Sequence, residues 1–230
     1  MKNAQNDYKQ LVGIAAADRV QDGMVVGLGT GSTAYHMIVR LGERVAHGEL
    51  PNIWGIPTSR ASETLALQHG ISLTTLEAHP LIDLGIDGAD EIDPALNLIK
   101  GGGGALLREK IIAQACDYYL VIADASKLSQ QLGTLFALPV EVVTFEYRAQ
   151  MAYLERLGCA VSLRLQPNGQ PFITDQGNYI VDCRFDGIPN ADDLAHLLNY
   201  RAGIVEHGMF LGLVSEVLVA GTDGVQSITV

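Results

Sequence analysis

Apolar positions in the first half of the chain fall into two alternating rhythms. Tyr8 to Val20 carries apolar residues at helical spacing, and Met24 to Leu28 is a short apolar run bounded by Gly23 and Gly29. Ser32 to Val45 reads as a helix with Ile38 and Leu41 on one side and Arg40 and Glu43 elsewhere. A strand is expected over 53–56, a helix from Ser59 to His69 ending at Gly70, and a strand over 81–86. Leu106 to Cys116 then reads as a helix and Tyr118 to Ala123 as an uninterrupted strand. Strands alternating with helices in this order predict a parallel sheet covered by helices on both faces. Ligands of such sheets bind where the strands end and the βα turns gather.

The rhythm changes after Gly133. Leu138 to Phe145 is strand-like, Arg148 to Leu157 helix-like, and Ala160 to Leu165 strand-like. Phe172 to Arg184 resembles a hairpin turning at 175–178, Ala191 to Tyr200 a helix, and Ile204 onward a strand. This β-α-β-β-α-β order predicts a small α+β unit of the split-βαβ, ferredoxin-like kind. Ser215 to Ala220 and Val225 to Val230 are expected to rejoin the first sheet. The fold class expected is therefore α/β: a doubly wound, mostly parallel Rossmann-like sheet with an inserted smaller α+β domain. The boundaries expected are 1–132 plus 209–230 for the first domain and 133–208 for the second.

Composition narrows the function. A formal net charge of -11 repels nucleic-acid backbones and anionic lipid surfaces, and no run of Lys and Arg offsets it. A small phosphorylated molecule remains compatible, because a few local donors outweigh a diffuse field. Cys116, Cys159 and Cys183 are widely spaced and apolar in context, which predicts small buried residues rather than disulfides or zinc ligands. The six histidines show no metal-binding spacing. No metal site is expected. The polar start, Met1 to Asp7, lacks the apolar core of a signal peptide, and no run approaches the ~20 apolar residues of a membrane span. A cytoplasmic protein is expected.

Four motifs carry candidate chemistry, each placed where a strand is expected to end. The first runs Gly27-Leu28-Gly29-Thr30-Gly31-Ser32-Thr33 and opens a helix, so that loop N–H groups, hydroxyls and the helix dipole favour a phosphate. A capped tight turn is the plainer reading. Ser32 stands where a dinucleotide fingerprint needs its third glycine, and no Lys-Ser or Lys-Thr follows to make a P-loop. The second, Asp87-Gly88-Ala89-Asp90-Glu91-Ile92-Asp93, holds four carboxylates without the calcium-loop pattern. Asp87 and Asp90 lie nearest the strand end and suit sugar hydroxyls, whereas Glu91 and Asp93 fit a solvated turn. The third, Lys100 followed by Gly101, Gly102, Gly103 and Gly104, suits a backbone that approaches a ligand closely, with Lys100 neutralising an oxyanion or phosphate. Glu109 follows on the helix, off the stripe of Leu107, Ile111 and Ala115, and helix geometry alone reads it as exposed. The fourth, Ala123-Asp124-Ala125-Ser126-Lys127, ends a strand with a lysine that alone reads as a surface charge.

Together and in this order the motifs resemble the type A ribose-5-phosphate isomerases. The shared pattern is a TGST loop at Thr30 to Thr33, DGADEI at Asp87 to Ile92, KGGG with a following EK from Lys100 to Lys110, and ADASK at Ala123 to Lys127. Pro57-Thr58-Ser59, Leu138 to Val142, Gly203 to Gly208 and Gly221 to Val225 extend the likeness along nearly the whole chain. Gly104 and Leu107 depart from many relatives without removing a functional group.

The resemblance implies a cofactor-independent interconversion of ribose 5-phosphate and ribulose 5-phosphate through an ene-diolate. Under it Glu109 becomes the catalytic base, which reverses the reading from helix geometry. Asp87, Gly88, Ala89 and Asp90 bind the sugar, and the two aspartates assist ring opening. Lys100 stabilises the oxyanion beside Gly101, Gly102 and Gly103. Thr30, Gly31, Ser32, Thr33 and Lys127 hold the phosphate. The implied partner is a pentose phosphate, and the implied assembly a homodimer or homotetramer. A sugar-phosphate sensor predicts loss of Glu109 or Lys100, yet both stand here. A deaminase or acyltransferase needs no paired DGAD and KGGG turns, and a nicotinamide dehydrogenase is disfavoured by Ser32.

Overall fold

A computed structural model of the protein describes residues 2–229, with side chains from Gln5 onward. Met1 and Val230, which open and close the expected first domain and end its expected last strand, lie outside the described residues. The chain divides into two compact units: Met1–Ala89, Arg108–Lys127 and Leu213–Val230 form one, and Asp90–Leu107 with Leu128–Gly212 the other.

In the first unit the elements are α1 (Lys2–Ala17), β1 (Val25–Leu28), α2 (Ser32–Ala46), β2 (Trp54–Pro57), α3 (Arg60–Gln68) and β3 (Leu84–Gly88). In the second follow β4 (Glu91–Ile92) and β5 (Leu98–Ile99). The first unit resumes with α4 (Leu106–Gln114), whose first two residues belong to the second, and β6 (Tyr119–Asp124). The second resumes with β7 (Leu138–Val142), α5 (Tyr147–Glu155), β8 (Ala160–Leu163), β9 (Tyr179–Arg184), α6 (Ala191–Asn199), β10 (Ile204–His207) and β11 (Met209–Phe210). Strands β12 (Glu216–Gly221) and β13 (Gly224–Ile228) return to the first unit.

The first unit is built on a sheet in the order β13-β12-β6-β3-β1-β2, parallel throughout except for the edge strand β13. One face carries Val26, Leu28, Leu84, Ile86, Leu120, Ile122, Leu218 and Ala220 against Val12, Ala16, Met37, Ile38 and Leu41 of α1 and α2. Their burial, at roughly 25 cal/mol per Å² of apolar area, is the main force holding this layer. The opposite face packs Val25, Ile56 and Ile82 against Ile112 of α4. Helices thus cover both faces, as the alternating pattern requires.

The second unit contains a four-stranded antiparallel sheet in the order β10-β7-β9-β8, the split-βαβ arrangement expected from the element order. A separate three-stranded sheet, β11-β5-β4, joins residues near 91 and 98 to residues 209–210. That pairing explains why residues 90–107 and 209–212 group with the second unit rather than with the first domain as drawn from sequence. Strands of two residues leave no alternation to read.

The expected hairpin over 172–184 forms differently. Only Tyr179–Arg184 is strand, and it pairs with β7 and β8. Thr174 and Asn178 donate to the buried Glu141 carboxylate, each at 2.9 Å, which folds residues 174–178 into a turn instead of a ladder. Of the three cysteines, Cys159 and Cys183 are buried as expected, while Cys116 is half-buried. No helix among the described residues is long and apolar enough to cross a membrane.

Candidate active site

In the first unit the strand ends of β1, β3, β2 and β6 gather at the carboxyl edge of the parallel sheet. The chain leaves β1 for β2 on one side and later adds β3 on the other, which makes the β1–β3 gap a topological switch point. Two sequence motifs meet there. The Thr30 N–H donates to Asp87 Oδ1 at 3.0 Å, and the Gly88 N–H donates to the same oxygen at 2.7 Å. Asp87 is 1% exposed, so these bonds compensate a carboxylate removed from water. Gly29 is required by the same contact, since a Cβ there would lie 2.6 Å from Asp87 Cα.

Thr30 is further fixed by hydroxyl bonds to Thr58 Oγ1 (2.7 Å) and Ser59 Oγ (2.8 Å) at the end of β2. Ser59 also caps α3. Gly31 is the N-cap of α2, where no side chain caps the helix, so the N–H groups of Ser32, Thr33 and their neighbours present an anion site. Gly31 and Ser32 are exposed and Thr33 is half-buried. The Lys9 ammonium on α1 donates to Ser32 Oγ at 3.0 Å. Sequence reading missed Lys9, because nothing in the local pattern ties a residue of the first helix to the loop after β1. A cleft of about 780 Å³ adjoins the loop, lined among others by Thr30, Gly31, Ser32, Tyr35 and His36, and its walls include neither Asp87 nor Glu109.

At the end of β6, Asp124 accepts from the N–H of Ser126 at 3.0 Å and from its hydroxyl, closing the single 3-10 turn, Ala125–Lys127, that carries half-buried Lys127. Glu109 lies on the first turns of α4 and is 3% exposed, which overturns the exposed position expected from helix geometry. The expected stripe is also wrong: Ile111 is 46% exposed, whereas Leu106, Glu109, Lys110, Ile112 and Ala113 are buried. An acid and a base occupy the buried face, so an apolar count misplaces it. Beneath this edge lies Tyr119, fully buried; burial, then the charges of Asp87 and Glu109, push its phenol well above the usual value.

In the second unit Asp90 and the glycine loop are joined. Asp90 Oδ2 accepts from the Gly102 N–H at 2.7 Å, and a Cβ on Gly102 would sit 2.6 Å from Asp90 Oδ1. At this glycine the close approach is to the protein's own carboxylate. Gly102 and Gly103 are exposed and Gly101 is buried. The Arg164 guanidinium holds the loop by donating to the carbonyls of Gly101 (2.7 Å) and Gly102 (3.1 Å), while Asp182 orients it at 2.9 Å. Lys100 is 2% exposed, its N–H donates to Gly208 O, and its ammonium lies 5.5 Å from the centre of the Phe210 ring. Glu91, expected in a solvated turn, is fully buried and accepts from the N–H groups of Gly133, Thr134, Leu135 and Phe136. Burial would raise its carboxyl, but the Phe136 and Leu135 N–H groups with the Ser129 and Thr134 hydroxyls hold it below its ordinary value. Ala89 and Asp90, on either side of the division between units, are both half-buried. Among the described residues no three His, Cys, Asp or Glu side chains gather to hold a metal ion.

The motifs sit within a recognisable family. The family model of ribose 5-phosphate isomerase A (phosphoriboisomerase A) matches residues 54–224. Ribose-5-phosphate isomerase A of Chloroflexus aurantiacus is 52% identical over 221 residues, covering 96% of this chain and 92% of that protein. The structure of ribose 5-phosphate isomerase A from Methanocaldococcus jannaschii superimposes with a TM-score of 0.93 at 40% identity, covering 98% of this chain and 100% of that one. A D-ribose-5-phosphate isomerase in complex with phospho-erythronic acid gives a TM-score of 0.95 at 37% identity, covering 97% of this chain and 98% of that one. Match, identity and coverage all span most of the sequence, and this chain belongs to the ribose 5-phosphate isomerase A family.

Proposed function

We propose that the chain interconverts ribose 5-phosphate and ribulose 5-phosphate, with Glu109 moving the proton between C2 of the aldose and C1 of the ketose. The observation that carries the residue assignment is the burial of Glu109 on the first turns of α4, the helix that packs on the face of the sheet carrying Asp87. Buried carboxylates are concentrated at catalytic sites, and Glu109, at 3% exposure, is one such group. Removing the proton leaves an ene-diolate, and returning it to the neighbouring carbon completes the isomerisation without net redox change. The hydroxyl proton moves between O1 and O2 in the same step, a transfer for which Asp87 and Asp90 are suited.

Lys100 supplies a positive charge where oxyanion character develops, and its burial makes that charge worth more than in water. The uncapped N-terminus of α2, with Thr30, Gly31, Ser32 and Thr33, takes the phosphate, and Lys9 and Lys127 add charge. Gly88, Ala89, Gly101, Gly102 and Gly103 contribute backbone to the sugar site. The relative solved with phospho-erythronic acid supports a phosphorylated polyol acid as a mimic of the bound sugar. The reading also places the chain in a homodimer or homotetramer.

Purified protein incubated with ribose 5-phosphate, excess chelator and no cofactor is expected to form ribulose 5-phosphate at an undiminished rate. Binding of ribose 5-phosphate without turnover would instead favour a sensor, and loss of activity to the chelator would overturn the cofactor-independent route.

A further inference from the structure

The buried face of the first unit holds an ionisable group that the chemistry above does not use. Tyr119 is 2% exposed, and its hydroxyl has no hydrogen-bond partner among the described residues. Leaving a buried hydroxyl unpaired is costly, and a phenylalanine of the same shape would avoid it. A polar atom retained at that cost calls for a use.

Its position supplies one. Tyr119 pairs with Gly85 and Val121 with Asp87 in the parallel ladder, so Tyr119 and Asp87 share one face of the sheet. The ring crosses over Gly85, where a Cβ would stand 2.9 Å from Tyr119 Cδ2. Helix α4, which carries Glu109, packs on this same face: Ile112 Cγ2 lies 2.9 Å from the Cβ position of Gly27, and Cys116 sits against Gly85. Asp87, Glu109 and Cys116 all act on the phenol electrostatically, and burial with the Asp87 charge raises the Cys116 thiol to about 12. With burial and those charges keeping it protonated, the phenol is a neutral donor in a cluster of acids.

We propose that Tyr119 is a positioning residue of the isomerase, its hydroxyl acting through one bridging water on the Asp87 and Glu109 carboxylates of the same sheet face and holding the base oriented and ionised. A carboxylate that receives such a donor, directly or through one water, titrates lower than one that does not. The inference rests on the isomerase reading of Glu109, and its test separates the two.

Tyr119→Phe removes one oxygen and keeps the ring. The acid limb of its kcat/KM profile is expected to move up by about one pH unit, with kcat below neutrality down about tenfold and KM within about twofold. The Glu109 carboxyl, followed by carbon-13 NMR and assigned with Glu109→Gln, should titrate higher by a similar amount. Placing 3-fluorotyrosine at 119, a stronger donor of the same shape, should move both readouts down. Unchanged profiles and carboxyl titration in both variants would overturn the proposal, even if thermal stability changed. If the unmodified protein proved inactive, the isomerase reading would fall while the NMR titration still decided whether Tyr119 acts on Glu109.

Discussion

Asp87 and Asp90 each fix a glycine loop by accepting one of its N–H groups, Thr30 after Gly29 in one unit and Gly102 in the other. Each aspartate thereby sets the geometry of the loop that it anchors. Lys9 works differently: it reaches Ser32 from another helix and adds a positive charge at an uncapped helix start. Lys9→Met is expected to raise KM for ribose 5-phosphate by about three- to tenfold at low ionic strength, with kcat nearly constant. Steady-state kinetics at two salt concentrations check this, since the penalty should shrink as salt rises. The motif glycines, aspartates and Thr30 were legible in the sequence because each sits in a run of unusual composition. Lys9 and Arg164 were not, because both reach their loops across distant strands or helices.

At the scale of elements, α4 shows how a functional helix defeats pattern reading. Its buried face carries Glu109 and Lys110 beside Leu106 and Ile112, and its exposed face carries Ile111, so apolar spacing points the wrong way. Strands β1 and β6 were legible because they are buried on both faces and read as apolar runs, whereas β3 begins at Leu84 and includes Asp87, later than the strand expected over 81–86. The short strands β4, β5 and β11 were invisible, and with them the role of Glu91. That carboxylate organises residues 133–136 through their N–H groups. Glu91→Gln leaves some of those donors unmatched and should cost on the order of 2 kcal/mol at neutral pH.

The pH dependence has a definite sign. Glu91 titrates below its ordinary value in the folded protein, so its contribution is complete above the unfolded carboxylate value and disappears as pH falls through the folded one. Thermal melts of the unmodified protein and Glu91→Gln should therefore differ most near neutrality and converge in acid. Curves that stay parallel down to low pH would contradict the ionised-hub account.

Across the whole molecule, a net charge of -11 coexists with a site for an anion. In the first unit the uncapped start of α2 and the Lys9 ammonium beside it are local positive groups that act at short range, while the diffuse field is screened beyond about 8–10 Å. The division of the chain into two units passes between Ala89 and Asp90 and between Leu107 and Arg108, inside two of the motifs. Sequence order alone gave the element succession but grouped residues 90–107 with the first domain, whereas their contacts with 133–136, Arg164 and 209–210 join them to the second unit.

The central claim is that Glu109 is the base of the isomerisation. Glu109→Gln keeps size and shape while replacing the proton-accepting carboxylate with an amide. Its turnover of ribose 5-phosphate is predicted to fall by about 10²–10⁴-fold, with ribose 5-phosphate affinity by calorimetry nearly unchanged. Near-normal turnover together with tight binding in that variant would contradict the account.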